Sequence, residues 1–133
     1  FVPARVRTFR EVRGVTGDMA KVGDLIDGGM CRQALLLCQD YLQTDPEDVT
    51  ALYNAGLAAE CMAGATPRQA RKLKALNLAL GYYRKAALED SGDKEIRRAV
   101  REVALGVELY ADALERQGIA KEKARGFDTS TGF

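Results

Sequence analysis

Apolar residues recur at steps of three and four along most of this chain, a pattern that predicts a succession of amphipathic helices. The first run starts near Asp18, a residue type that favours the N-cap position, and stops at Gly28-Gly29. A second helix is predicted from Cys31 to Thr44. It ends at Asp45-Pro46, because proline disfavours helical backbone in the residue before it.

Three further helices follow with the same period. The third is predicted from about Asp48 to Ala63, and the fourth begins at Thr66-Pro67, where an N-cap residue precedes proline in the first turn. The fourth ends near Glu89. The fifth is predicted from about Lys94 to Arg116, with one continuous apolar stripe, and Gly118 is expected to end it.

This succession predicts an all-α fold of about five helices in antiparallel pairs, in a helical domain over residues 17–117. Residues 1–16 are basic and form either a strand or a short helix, as the remnant of a preceding domain. Residues 118–133 lack an apolar face and are expected to be a flexible tail. Because no Met begins the chain, we interpret it as a fragment or a processed product.

Composition narrows the classes of function. The 133 residues carry a net charge of +1 and include no His, so the commonest general base and metal ligand is missing. We find no glycine-rich phosphate loop, nucleophile elbow or paired-carboxylate signature, and no apolar run long enough to cross a bilayer. We therefore expect a protein that is not an enzyme and takes no cofactor, metal or small-molecule substrate.

An internal repeat is visible when the turns are aligned. Val22 precedes Gly56 by 34 residues, and the segments 51–56 and 79–86 stand where the two helices of one unit would. The second half of the preceding unit is matched by Gly29, Ala34, Cys38, Asp45 and Pro46. On these motifs the chain resembles the tetratricopeptide repeat (TPR) family over about residues 18–114. The resemblance implies a TPR-like α-solenoid of two repeats and a C-terminal capping helix.

The sequence departs from the family pattern at three places. Asp18 and Lys21 stand where apolar residues would be expected in the first helix. An insertion near 64–75 adds 11 residues to the second unit, and should lengthen the turn or extend the fourth helix. Arg97 and Arg101 replace an apolar and a small residue, as expected for a helix that covers the end of a solenoid.

The resemblance also implies a concave groove lined by the first helix of each unit. An extended peptide or a partner helix would bind there. Alternatively, these residues are ordinary surface, or the fifth helix or a missing domain covers them. A carboxylate clamp is not expected, since only Asn54 fits that residue set. The groove residues are Met19, Gly23, Ile26, Thr50, Tyr53, Asn54, Leu57 and Glu60.

The three cysteines leave two interpretations open. Cys31 lies fifteen residues before Pro46 and Cys61 fifteen after, so antiparallel helices hinged at Pro46 bring the two to the same level. A Cys31–Cys61 disulfide would then form in an oxidising compartment. The alternative is unpaired thiols in a reducing cytosol. Cys38 lies on an apolar face and is interpreted as a buried thiol, and zinc is not favoured because the spacing is wrong.

A basic surface is predicted at Arg68, Arg71, Lys72 and Lys74, which have no acidic residue among them. It would meet an acidic partner, RNA or a lipid surface, or it is only a solvated helix face. No aromatic residues are interleaved with these charges, so nucleic acid is not the expected partner.

Together these features favour a non-catalytic protein–protein interaction module. We expect it to bind a protein or peptide as part of a larger bacterial scaffold or a lipoprotein system of envelope assembly. The expected location is the periplasm or the outer membrane, on the strength of the proposed disulfide. The alternatives are a structural or self-associating helical domain that forms a homo-oligomer, and a cytoplasmic adaptor with a basic contact surface.

Overall fold

The computed structural model describes Arg13 and residues 19–124, with the backbone alone over 119–124. The described part contains five helices and no strand, so the prediction of an all-α fold is confirmed. The helices are α1 (Ala20–Asp27), α2 (Cys31–Thr44), α3 (Val49–Ala65), α4 (Gln69–Glu89) and α5 (Lys94–Ala124).

Side-chain caps and one glycine set several helix ends. The Asp48 carboxylate accepts a hydrogen bond from the Ala51 N–H at 2.8 Å and so caps α3. Asp93 does the same for α5, accepting from the Ile96 N–H at 3.1 Å. Gly29, at φ 77°, ends the first helix in the left-handed conformation that glycine adopts at low cost.

Helix α3 is the centre of the molecule. Every residue from Ala51 to Cys61 is buried, because α2 packs on one side of α3 and α4 on the other. Helix α1 contacts α2 and α3, and α5 packs against α4. Helices α2 and α3 run antiparallel, because the start of α2 lies beside the end of α3. The Cα atoms of Cys31 and Cys61 are 5.4 Å apart there. Buried apolar residues of all five helices form one continuous core.

Small residues allow the close approach of α3 and α4. A Cβ atom added at Gly56 would lie 2.6 Å from Cδ1 of Tyr83, so the tyrosine ring packs directly on the glycine backbone. Ala34 and Ala79 are fully buried at comparable helix contacts. Large side chains therefore fill the space that the small residues leave, which gives the dense packing of a protein interior.

Several predicted boundaries were wrong. Thr66 does not begin α4; it follows the end of α3, and α4 starts at Gln69. Of the two outcomes expected for the insertion near 64–75, extension of the helices is the one observed, since only residues 66–68 lie outside helix. Gly118 does not end α5, which continues to Ala124 into the predicted flexible tail. One helical glycine costs only about 1 kcal/mol and does not by itself end a long helix.

Other predictions fall outside the described residues. The N-cap at Asp18 lies there, as do the strand or short helix over 1–16, apart from Arg13, and residues 125–133. Within the described part, no helix combines the length and the hydropathy that crossing a membrane requires.

Candidate functional site

The predicted concave groove is not an open surface. Of its eight residues, seven are buried and only Thr50 is half-buried. Asn54 and Leu57 are completely buried, and Glu60 accepts a hydrogen bond from the Tyr83 hydroxyl inside the α3–α4 contact. These positions face other parts of the same chain, which favours the alternative of a covered face over an accessible groove.

Arg13 lies against the side of α3 that carries Tyr53 and Asn54, which we call the inner face. It binds Asn54 through its main chain. The Arg13 N–H donates to Oδ1 of Asn54 at 2.9 Å, and Nδ2 of Asn54 donates to the Arg13 carbonyl at 2.8 Å. Nδ2 also contacts Sδ of Met19 at 3.7 Å. A buried amide that is satisfied by one residue's N–H and C=O holds that residue in a fixed register.

The guanidinium group of Arg13 is held by two carboxylates and one ring. Its two terminal nitrogens donate to the Asp93 carboxylate at 2.7 and 3.0 Å, and one of them also donates to Glu95 at 2.9 Å. Its carbon lies 4.3 Å from the centroid of the Tyr53 ring. The planar group thus makes a two-point ion pair and a cation–π contact together, a combination that suits arginine and not lysine.

These contacts shift the ionisation of both partners. The hydrogen bond from Arg13 lowers the pKa of Asp93 to about 2. In return, the hydrogen bonds to Asp93 raise the pKa of the Arg13 guanidinium above its ordinary value. The pair is therefore fully ionised at neutral pH, and it fastens the N-terminal end of α5 to the inner face of α3.

Sequence reasoning missed this contact because its members lie far apart along the chain. Arg13 and Asp93 are separated by 80 residues, and no spacing rule connects them. The predicted groove did include Tyr53, whose ring contacts the Arg13 guanidinium, and Asn54, whose amide binds the Arg13 main chain. The inner face therefore binds an arginine of this same chain, Arg13.

Cys31 and Cys61 form a disulfide in the structure. These are the two cysteines that lie at equal distances from Pro46 in the sequence. Cys38 is free and completely buried, and loss of contact with water raises the pKa of its thiol to about 12. A thiol with so high a pKa carries little thiolate at neutral pH and reacts slowly.

Beside the disulfide lies an open cleft of about 890 Å³ between the start of α2, the end of α3 and the first half of α4. We call it the α4 cleft. Most of its lining surface is apolar. The lining residues are Gly29, Cys31, Arg32, Met62, Ala65, Thr66, Arg71, Lys74, Ala75, Asn77 and Leu78.

The four residues of the predicted basic surface separate into different roles. Lys72 donates from Nζ to the Ala63 carbonyl at 3.1 Å and so stabilises the end of α3. Arg71 and Lys74 line the α4 cleft, whereas Arg68 is exposed outside that lining. Arg32 adds a third cation to the cleft from α2, a residue that sequence reasoning did not select.

No cluster of three or more potential metal ligands occurs within the residues that the structure describes. Comparison of the chain with protein-family models, with curated proteins and with solved structures finds no match.

Proposed function

We propose that this chain is a non-catalytic protein–protein interaction module, and that it binds its partner at the α4 cleft. The observation that carries the proposal is an open, mostly apolar cleft with exposed side chains at its rim and floor. Leu78, which lines the cleft, is 39% exposed. Apolar side chains grouped at a concave surface lose contact with water when a partner covers them.

We further propose a TPR-like architecture for the five helices. Its support is the packing of Tyr83 on Gly56 together with the 34-residue spacing from Val22 to Gly56. In this architecture Arg13 occupies the inner face of α3. We therefore place partner binding at the α4 cleft, which α2, α3 and α4 line.

The proposed setting is a bacterial envelope scaffold, in the periplasm or attached to the outer membrane as part of a lipoprotein system. The Cys31–Cys61 disulfide supports it, because structural disulfides persist in oxidising compartments and are rare in a reducing cytosol. A cytoplasmic adaptor is the alternative. Quenching thiols in intact cells before lysis distinguishes the two, since only an oxidising compartment leaves one free thiol on the chain.

Site-specific photo-crosslinking tests the interaction function. A photoreactive residue at position 78 should form a discrete adduct with another protein in the producing cells. The same residue at position 105, where Leu105 is 56% exposed on α5, is the matched control and should not form it. Met62→Glu, which places a charge in the cleft, should abolish the adduct at position 78. Equal labelling at both positions, or none at 78, contradicts the proposal.

A second candidate is a structural domain that associates with itself. The burial of the predicted groove favours it, because Arg13 already satisfies Asn54 and the ring face of Tyr53. Under this candidate, the adduct at position 78 would have twice the mass of the chain, and light scattering would find a dimer.

A further inference from the structure

We propose that the α4 cleft recognises an acidic amphipathic segment of the partner protein, with acidic side chains at the rim and apolar side chains on the floor. The inference rests on the proposed function and names the chemistry of the partner.

The charge of the cleft is the first argument. Among the described residues, its lining includes three cations, Arg32, Arg71 and Lys74, and no aspartate or glutamate. All three side chains are exposed, and within the described part of the chain none of them makes an ion pair. Neighbouring cations without acidic partners repel one another, and a ligand with carboxylates relieves that repulsion.

The apolar floor is the second argument. Met62 is half-buried, Ala75 is buried and Leu78 is exposed to solvent, and all three line the cleft together with the cations. A methionine side chain adapts its shape to a ligand at little cost. The floor therefore accepts apolar side chains while the rim pairs with carboxylates, and a segment that alternates these two residue types meets both demands.

The rigidity of the walls is the third argument. The Cys31–Cys61 disulfide fixes the start of α2 to the end of α3 at one wall, and the Lys72–Ala63 hydrogen bond fixes α4 to α3 beside it. A cleft whose walls are already held loses little entropy when it binds.

The chemistry of the lining argues against single-stranded nucleic acid. A protein surface that binds single strands offers aromatic rings on which bases stack, and none of the described residues that line this cleft is aromatic. We therefore assign the cations to carboxylates and not to phosphates.

A binding titration with the full chain tests the assignment. The probe is a fluorescein-labelled synthetic peptide of about four helical turns, with Leu at i, i+3, i+4 and i+7 and Glu between. The double variant Arg71→Glu with Lys74→Glu should weaken binding at least about tenfold, because it replaces attraction with repulsion. Raising the salt concentration should weaken wild-type binding as well.

The matched control is Arg97→Glu with Arg101→Glu, which makes the same change in net charge on the exposed face of α5. It should leave peptide affinity within about twofold, because long-range attraction is screened. Circular dichroism should find both double variants as helical as the wild type, since all four side chains are exposed.

Three results would overturn the assignment. The first is equal binding of a peptide with Lys in place of Glu. The second is no effect of reversing Arg71 and Lys74, and the third is a single-stranded RNA oligonucleotide that binds more tightly than the acidic peptide and depends on those residues. A protein adduct at position 78 that persists when both charges are reversed would retain the proposed function and reject only the acidic partner.

Discussion

Arg13 binds two residues that lie 41 and 80 positions after it in the sequence, Asn54 and Asp93. Its ion pair is partly exposed, with 24% of the Arg13 side chain and 19% of the Asp93 side chain accessible. Solvent screening reduces the value of such a pair, whereas two-point geometry and the ring contact increase it. We assign the contact about 1–2 kcal/mol of stability at neutral pH.

Arg13→Ala should lower the free energy of unfolding at pH 7 by about 1–2 kcal/mol. The pKa of Asp93 is about 2 in the folded chain, below its ordinary value, so its stabilising effect is complete above pH about 4. It is lost as the pH falls toward 2. The difference between wild type and variant should therefore shrink over that interval, as urea titrations at several pH values would show.

Arg97→Ala provides the control for this variant, because Arg97 is exposed on α5 and has no ion pair among the described residues. Its unfolding free energy should stay within about 0.5 kcal/mol of the wild type. A difference between Arg13→Ala and wild type that stays constant down to pH 2 would refute an ionic contribution from Asp93.

At the scale of elements, α3 and α4 come closest where Tyr83 packs on Gly56. The Tyr83 ring lies against the Gly56 backbone, its centroid lies 5.5 Å from that of Tyr53, and its hydroxyl donates to the buried Glu60. The ring cannot move aside without breaking these contacts. A side chain at position 56 would therefore displace the ring and disturb these contacts.

Gly56→Ala should destabilise the protein by about 1–3 kcal/mol, because the added Cβ overlaps the Tyr83 ring. Gly81→Ala is the matched control in α4, where a Cβ would meet nothing within 4 Å. It should stabilise by up to about 1 kcal/mol, since alanine favours helix more than glycine. Thermal unfolding of both variants measures the contrast. Effects of the same sign at the two positions would disprove the packing argument.

At the scale of the whole molecule, the disulfide ties α2 to α3 across 30 residues. A cross-link restricts the unfolded chain, and a loop of this length corresponds to about 3–4 kcal/mol. It closes the α2–α3 pair at the end away from the turn, where the start of α2 lies beside the end of α3.

Cys61→Ser should therefore lower the free energy of unfolding by about 3 kcal/mol relative to the oxidised wild type. The reduced wild type should match the variant, and the variant should not respond to reductant. Thiol titration of the denatured, unreduced wild type should give one thiol, from Cys38. Three thiols would mean that the bridge is absent from the isolated protein.

The sequence by itself determined the helices, because the period of apolar residues and the turn residues are local signals. It also singled out Gly56, which the 34-residue spacing from Val22 marks as a repeat position. It determined the helix ends less well. Thr66 and Gly118 are residue types that favour a helix start and a helix end, yet α4 begins at Gln69 and α5 continues past Gly118.

Only the tertiary structure decided which surfaces are open. The face with Tyr53 and Asn54 reads as a groove in the sequence, yet Arg13 from a distant segment occupies it. Arg32 joins Arg71 and Lys74 only because the start of α2 and the first half of α4 line the same cleft beside the disulfide. Accessibility and charge clustering depend on contacts between residues far apart in the chain, and no local pattern encodes those contacts.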